Sequence, residues 1–219
     1  MSNLSETLTE ELSSKVVFRI GGLPFDESCV VTWIIMAVIV LLCFILTRNL
    51  KVTNISKRQA AVEWCVLKLE SLVGGFVGEE GKEYVPYLIT VLIYIALANI
   101  AGVFGFKPPT KSLNVTAALA IMSIVLVQVA CIRAKGGLGW IKSYRNPINI
   151  LDLFTRPLSL CMRLFGNVLG AFVIMKILEA VVPVFLPAVF SLYFDFFDGI
   201  LQAYVFVFLT GMYIKEAIE

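Results

Sequence analysis

The stretch "CVVTWIIMAVIVLLCFILT", Cys29 to Thr47, holds no charged residue and decides the fold. A helix rises about 1.5 Å per residue, so a run of this length approaches the roughly 20 residues that a bilayer crossing needs. Tyr84 to Phe106 and Ser112 to Ile132 are charge-free windows of similar reach. Composition agrees: 59% of residues are hydrophobic, 16% are charged and the mean hydropathy is +0.89, far from a soluble domain.

The region from Pro157 onward is also apolar, but Arg163, Lys176, Glu179, Asp195 and Asp198 interrupt it. Within it "VVPVFLP" carries Pro183 and Pro187, which remove backbone donors and supply a turn between two helices. The expected fold is therefore an all-α integral membrane protein of five inserted helices, forming one membrane domain over residues 1–219. The spans are expected at 29–47, 84–106, 112–132, 157–182 and 187–214, after an N-terminal tail over 1–28. The last two exceed what a core of about 30 Å requires, so strong tilt is expected of them. Between the first two spans, Ile55, Val62, Val66, Leu69 and Val73 recur at helical spacing among Lys57, Arg58, Glu63, Lys68 and Glu70. That pattern predicts an amphipathic helix over 55–73 lying in the membrane interface.

Basic loops set the orientation. Arg48 to Lys82 contains six Lys or Arg, and Arg133 to Arg156 contains five against the single acid Asp152, so both loops are expected in the cytoplasm. The N-terminus then faces outward and the C-terminal "IKEAIE" inward. The tail is acidic, with Glu6, Glu10, Glu11, Asp26 and Glu27 against Lys15 and Arg19, which is the reverse of a signal peptide. A net charge of +2 without a basic stripe argues against nucleic acid. The five cysteines lack C-x-x-C spacing and suggest neither a disulfide framework nor a metal site, and no cofactor is expected.

"PLSLCMRLFGNVLGAF", Pro157 to Phe172, places one guanidinium inside such a run. An arginine at mid-span costs at least about 2.5 kcal/mol on insertion scales, so Arg163 either snorkels to the headgroups or serves a function. Ser159, Arg163, Asn167 and Gly170 follow i, i+4, i+8 and i+11, one polar or small face, with Gly166 beside it. Ser191, Asp195, Asp198 and Gln202, at i, i+4, i+7 and i+11, form a similar face on the last helix. These faces suit either a hydrated path or mutual hydrogen bonding between helices. Arg163 stays protonated and acts only by attraction or repulsion, whereas Asp195 and Asp198 exchange protons. Lys176 and Glu179, three apart, suit a simple helix-surface ion pair. Asn99, Asn114 and Gln128 read as packing contacts.

"RPLSLCMRLFGNVLGAF" followed by "DGILQAYVFVFLT" resembles subunit a of the F-type ATP synthases, the membrane stator of the Fo sector, and "NIAGVFGFKPPTKSLNVTAALA" extends the likeness to the middle spans. The resemblance implies a subunit without catalysis on ATP, in a bacterial-type inner membrane, bound to a rotor ring of c subunits and to peripheral-stalk b subunits. By the same likeness two half-channels carry H⁺ or Na⁺ to and from the ring carboxylates, and Arg163 separates them. Asn167 and Gln202 are its polar neighbours and Asp195 an ionisable partner. Ser159, Asp198, Glu179 and Lys176 are further candidates for half-channel lining. Where many relatives carry an ionisable residue nine positions after the arginine, this chain has Phe172, so the titratable role falls to the last helix. The alternative is a secondary ion-coupled transporter with a midmembrane charged site, although inverted repeats are not visible.

Overall fold

The structure is a computed structural model that describes residues 16–20, 23–48, 50–51, 56–104, 108–143, 147–181, 190 and 192–218. Its main helices follow the apolar runs: α1 (Glu27–Thr47), α3 (Val85–Ile100), α4 (Leu113–Ser143), α5 (Pro147–Val181) and α6 (Gly199–Ile218). A further helix, α2 (Lys57–Val77), joins α1 to α3, and a seven-residue π-helical segment, Leu192–Asp198, leads into α6. Five of these stretches are long and apolar enough to cross a membrane: Glu27–Thr47, Lys82–Ile100, Leu113–Gly136, Asn149–Met175 and Leu192–Ile218. The protein is an all-α membrane protein in architecture. Ahead of α1 the acidic tail carries a small addition, an antiparallel pair of β1 (Val16–Ile20) and β2 (Leu23–Asp26). The expected proline turn at Pro183 and Pro187 lies outside the described residues.

Local chemistry sets several helix ends. Ser56 caps α2 by accepting a hydrogen bond from the Gln59 amide at 3.3 Å, which satisfies one of the orphan donors of the first turn. Gly136 interrupts α4 with φ of 72°, a left-handed conformation open to glycine, so the apolar span ends there and a short helical piece continues to Ser143. Helix α5 has 35 residues and would be about 52 Å long at 1.5 Å per residue, well beyond a core of about 30 Å. It therefore crosses obliquely or extends past the hydrocarbon.

The core forms where α3, α4 and α6 meet. Leu88, Ile95, Ala120, Val127, Phe206, Val207 and Ile214 are all nearly inaccessible there. Helix α5 joins this core through Leu160 and Leu164, one turn apart, which pack against α4. Its contact with α6 is far less extensive than those of α3 with α6 or α4 with α5. The final two helices are thus held mainly by the middle pair, not by each other. Helix α2 anchors its C-terminal end through Val73, Val77 and the Phe76 ring, which meets Tyr204 and Phe208 edge-on at 5.5 and 5.0 Å. The expected apolar stripe of α2 is only partly enclosed, since Val66 is exposed and polar Gln59 is buried. Helix α1 has no buried residue at all.

One polar knot fixes where α6 begins. Asn99 Nδ2 donates to the Gly199 carbonyl at 3.0 Å, and the Thr110 hydroxyl donates to Asn99 Oδ1 at 2.7 Å, all of it buried. A Cβ on residue 199 would lie 2.8 Å from Asn99 Cβ, so only glycine permits this approach. Asn99 is thus the packing contact its sequence position suggested. Replacing it by alanine strands a buried carbonyl and a buried hydroxyl, at about 1–3 kcal/mol each. Asn99→Ala is expected to lower the midpoint of thermal unfolding in detergent clearly, and an unchanged midpoint would show the knot to be dispensable.

Candidate functional site

Helix α5 divides its residues as an α-helical period requires. Leu160, Cys161 and Leu164 are buried, while Ser159, Arg163, Gly166 and Asn167 are exposed on the other side. Arg163 projects from the surface of the bundle in the midst of the Asn149–Met175 span, and among the described residues it makes no hydrogen bond or ion pair. An added Cβ on Gly166 or Gly170 would meet nothing within 4 Å. The small residues therefore leave open space beside the guanidinium, which no helix fills among the described residues.

Asn167 reaches across to α6. Its Nδ2 donates to Gln202 Oε1 at 2.7 Å, the bond that joins the two polar faces. Gln202 is 2% exposed, and its Nε2 has no partner among the described residues, leaving a buried donor next to the Asn167 contact. Asp198 is half-buried just before Gly199 and makes no hydrogen bond or ion pair among the described residues. The backbone around it departs from the expected α-helix: over Leu192–Asp198 the chain is π-helical. Bonds of the i→i+5 type turn each residue through a smaller angle than the α-helix does. The side chains of Asp195, Lys176 and Glu179 lie outside the described residues, as does Ser191.

Seven residues before Arg163, about 10 Å along the helix, a second arginine has the opposite fate. Arg156 turns inward, donating from Nη2 to Asp152 Oδ2 at 2.9 Å and to Glu216 Oε1 at 2.7 Å, and its guanidinium carbon sits 4.9 Å from the Tyr213 ring centroid. Its side chain is 19% exposed. Sequence reading took Arg156 as the basic end of a loop and missed this cluster. Only the i, i+4 spacing of Asp152 and Arg156 hinted at it, since Glu216 is 60 positions away. The cluster borders a cavity of about 180 Å³ between the ends of α4, α5 and α6, where Gln128, Lys135 and Asn149 add polar walls.

Nine residues beyond Arg163, Phe172 is not idle. The Lys111 ammonium lies 3.2 Å from its ring centroid, a cation–π contact that brings a charge from the α3–α4 connection onto α5. No sequence pattern foretold it. Along α5 the order is therefore a paired arginine, an unpaired arginine, a hydrogen-bonded asparagine and an aromatic ring facing an ammonium.

Comparison with known proteins fits this arrangement. The family model described as "ATP synthase A chain" matches residues 29–215. ATP synthase subunit a of Moorella thermoacetica is 34% identical over 210 residues, covering 93% of this chain and 95% of that protein. ATP synthase subunit a 1 of Hahella chejuensis is 33% identical over 97% of this chain and 92% of its own length. The sodium ion specific subunit a of Propionigenium modestum is 31% identical over 90% of this chain and 75% of its own length.

The Asn167–Gln202 bond yields a direct test. A double-mutant cycle with Asn167→Ala and Gln202→Ala, read by unfolding in detergent, is expected to return a coupling of about 0.6 kcal/mol, the mean for polar contacts between membrane helices. Zero coupling would mean that the bond does not help to hold α5 to α6.

Proposed function

We propose how this chain works from one premise, that it belongs to the ATP synthase A chain family. It is an ion-translocating membrane subunit of the Fo sector, working within a larger complex. Our reading is that it is the non-catalytic stator against which a ring of c subunits turns, with b subunits of the peripheral stalk bound alongside. Two half-channels reach the ring from opposite sides of the membrane, and Arg163 separates them.

The observation that carries this reading is the exposure of Arg163. A guanidinium keeps its proton at any accessible pH and is costly in hydrocarbon, yet this one faces out of the bundle without a partner among the described residues. A carboxylate on a neighbouring subunit supplies what is missing. Open space over Gly166 and Gly170 allows a rotor helix to come close. A fixed cation favours the ionised form of each passing carboxylate, so the bound H⁺ or Na⁺ leaves before that site reaches Arg163. Direct leakage between the half-channels is blocked by the same charge. Ligands on the rotor carboxylate choose the ion.

The other polar groups take roles around it. Asn167 and Gln202 shape the wall beside Arg163, and the unpaired Gln202 amide suits contact with water in a hydrated path. Asp198, with Asp195 on the same segment, provides exchangeable carboxylates for the outer half-channel, where Glu179, Lys176 and the Lys111–Phe172 contact also fall. Ser159 and the polar cavity beside Arg156 belong to the cytoplasmic half, under the orientation that the basic loops favour. Each elementary charge that crosses about 100 mV releases about 2.3 kcal/mol, so several ions per turn supply the work of ATP synthesis.

The test uses the whole complex in sealed vesicles. Arg163→Ala is expected to abolish ATP-driven ion pumping, followed with a pH-sensitive dye or ²²Na⁺ uptake, while the rotor and stalk subunits still co-purify. Pumping at the normal rate by an assembled Arg163→Ala complex would overturn the separator role.

A further inference from the structure

We propose that the elbow between α1 and α2 binds the phosphodiester headgroup of an anionic phospholipid. The last turn of α1 and the first turn of α2 enclose an open cleft of about 240 Å³. Its walls present three cations, Arg48, Lys51 and Arg58, beside the apolar side chains of Ile45, Leu46 and Leu50, and no acidic residue lines it. Among the described residues, none of the three basic side chains makes a hydrogen bond or an ion pair. Like charges gathered without a counterion repel one another, and a bound anion removes that repulsion.

The cleft is built, not merely open. Gln59, 9% exposed, holds the loop backbone with two bonds: the Lys51 amide donates to Gln59 Oε1 at 3.0 Å, and Gln59 Nε2 donates to the Lys51 carbonyl at 3.0 Å. Its own amide is fixed by the Ser56 hydroxyl at 3.3 Å. Gln59 Nε2 also donates to Glu63 Oε1 at 2.8 Å, so the nearest carboxylate along α2 is engaged by an amide. A buried glutamine thus sets the spacing between Lys51 and the start of α2, and with it the spacing of the cations.

Surroundings distinguish the source of the anion. The cleft lies at the end of a span whose residues face outward almost entirely, Leu41, Phe44 and Ile45 being 59%, 65% and 56% exposed. On α2, Trp64 and Leu67 are 66% and 65% exposed. Acyl chains therefore find apolar walls on both sides of the elbow, with the phosphate held at headgroup depth, where tryptophan also prefers to sit. Free phosphate would use the cations and none of the apolar surface.

The full chain is reconstituted in nanodiscs of equal parts phosphatidylglycerol and phosphatidylcholine, released into detergent, and weighed by native mass spectrometry. Retention of one phosphatidylglycerol per chain is expected, with little phosphatidylcholine. The triple variant Arg48→Gln, Lys51→Gln, Arg58→Gln is expected to weaken that retention at least about tenfold. A charge-matched control, Lys68→Gln, Lys82→Gln, Lys135→Gln, is expected to keep it. Equal retention of both lipids, or equal loss in the two triple variants, would overturn the site. Displacement of the adduct by millimolar inorganic phosphate would instead assign the cleft to the free anion and overturn the lipid reading.

Discussion

A full charge inside a bilayer has no water to solvate it, so every such group must turn to a partner within the protein, to an aqueous path, or to another subunit. Two arginines on α5 show both outcomes. Arg156 folds against Asp152, Glu216 and Tyr213 and ties α5 to the far end of α6. Arg163, two turns on, stays on the outer face near Gly166 and Gly170, where an added Cβ would meet nothing within 4 Å. The first is a structural cation, and the second is left facing outward.

The scaffold that presents it is arranged around the middle helices. Because α3 and α4 supply the main packing surfaces for α6 and α5, the last two helices are placed independently and meet at few points. Those points are polar: Asn167 with Gln202, and Arg156 with Glu216. A seam of this kind has few contacts, and two hydrogen-bonded polar pairs punctuate it. The knot of Asn99, Thr110 and Gly199 adds a fixed origin for α6 at the point where its backbone changes from π to α.

The start of the chain follows another logic. Helix α1 has no fully buried residue and touches the rest only through partly buried side chains such as Ile35 and Ile39, with Thr32 accepting a hydrogen bond from the Tyr94 hydroxyl at 3.3 Å. What fixes its end is the Gln59 clamp and the α2 helix that follows, whose Val73, Phe76 and Val77 dock onto the core. The basic elbow sits between a loosely held span and a firmly docked helix.

Much of this was legible from residue order alone. Charge-free runs locate spans because hydrocarbon thickness sets a minimum apolar length, and the face shared by Ser159, Arg163 and Asn167 follows from the helical period, a local property. Interhelical partners are not local. Glu216 meets Arg156, Lys111 meets Phe172 and Asn99 meets Gly199, the last a hundred positions apart, because packing in three dimensions brings them together. The π segment escaped for a related reason, since its i→i+5 bonds leave no apolar rhythm to read and its end is held by Asn99 from another helix. Sequence by itself determined that this chain spans a membrane and carries an arginine at mid-span. Only the tertiary structure decided which arginine is paired and which is left facing outward, because that depends on which helix ends come within reach of each guanidinium.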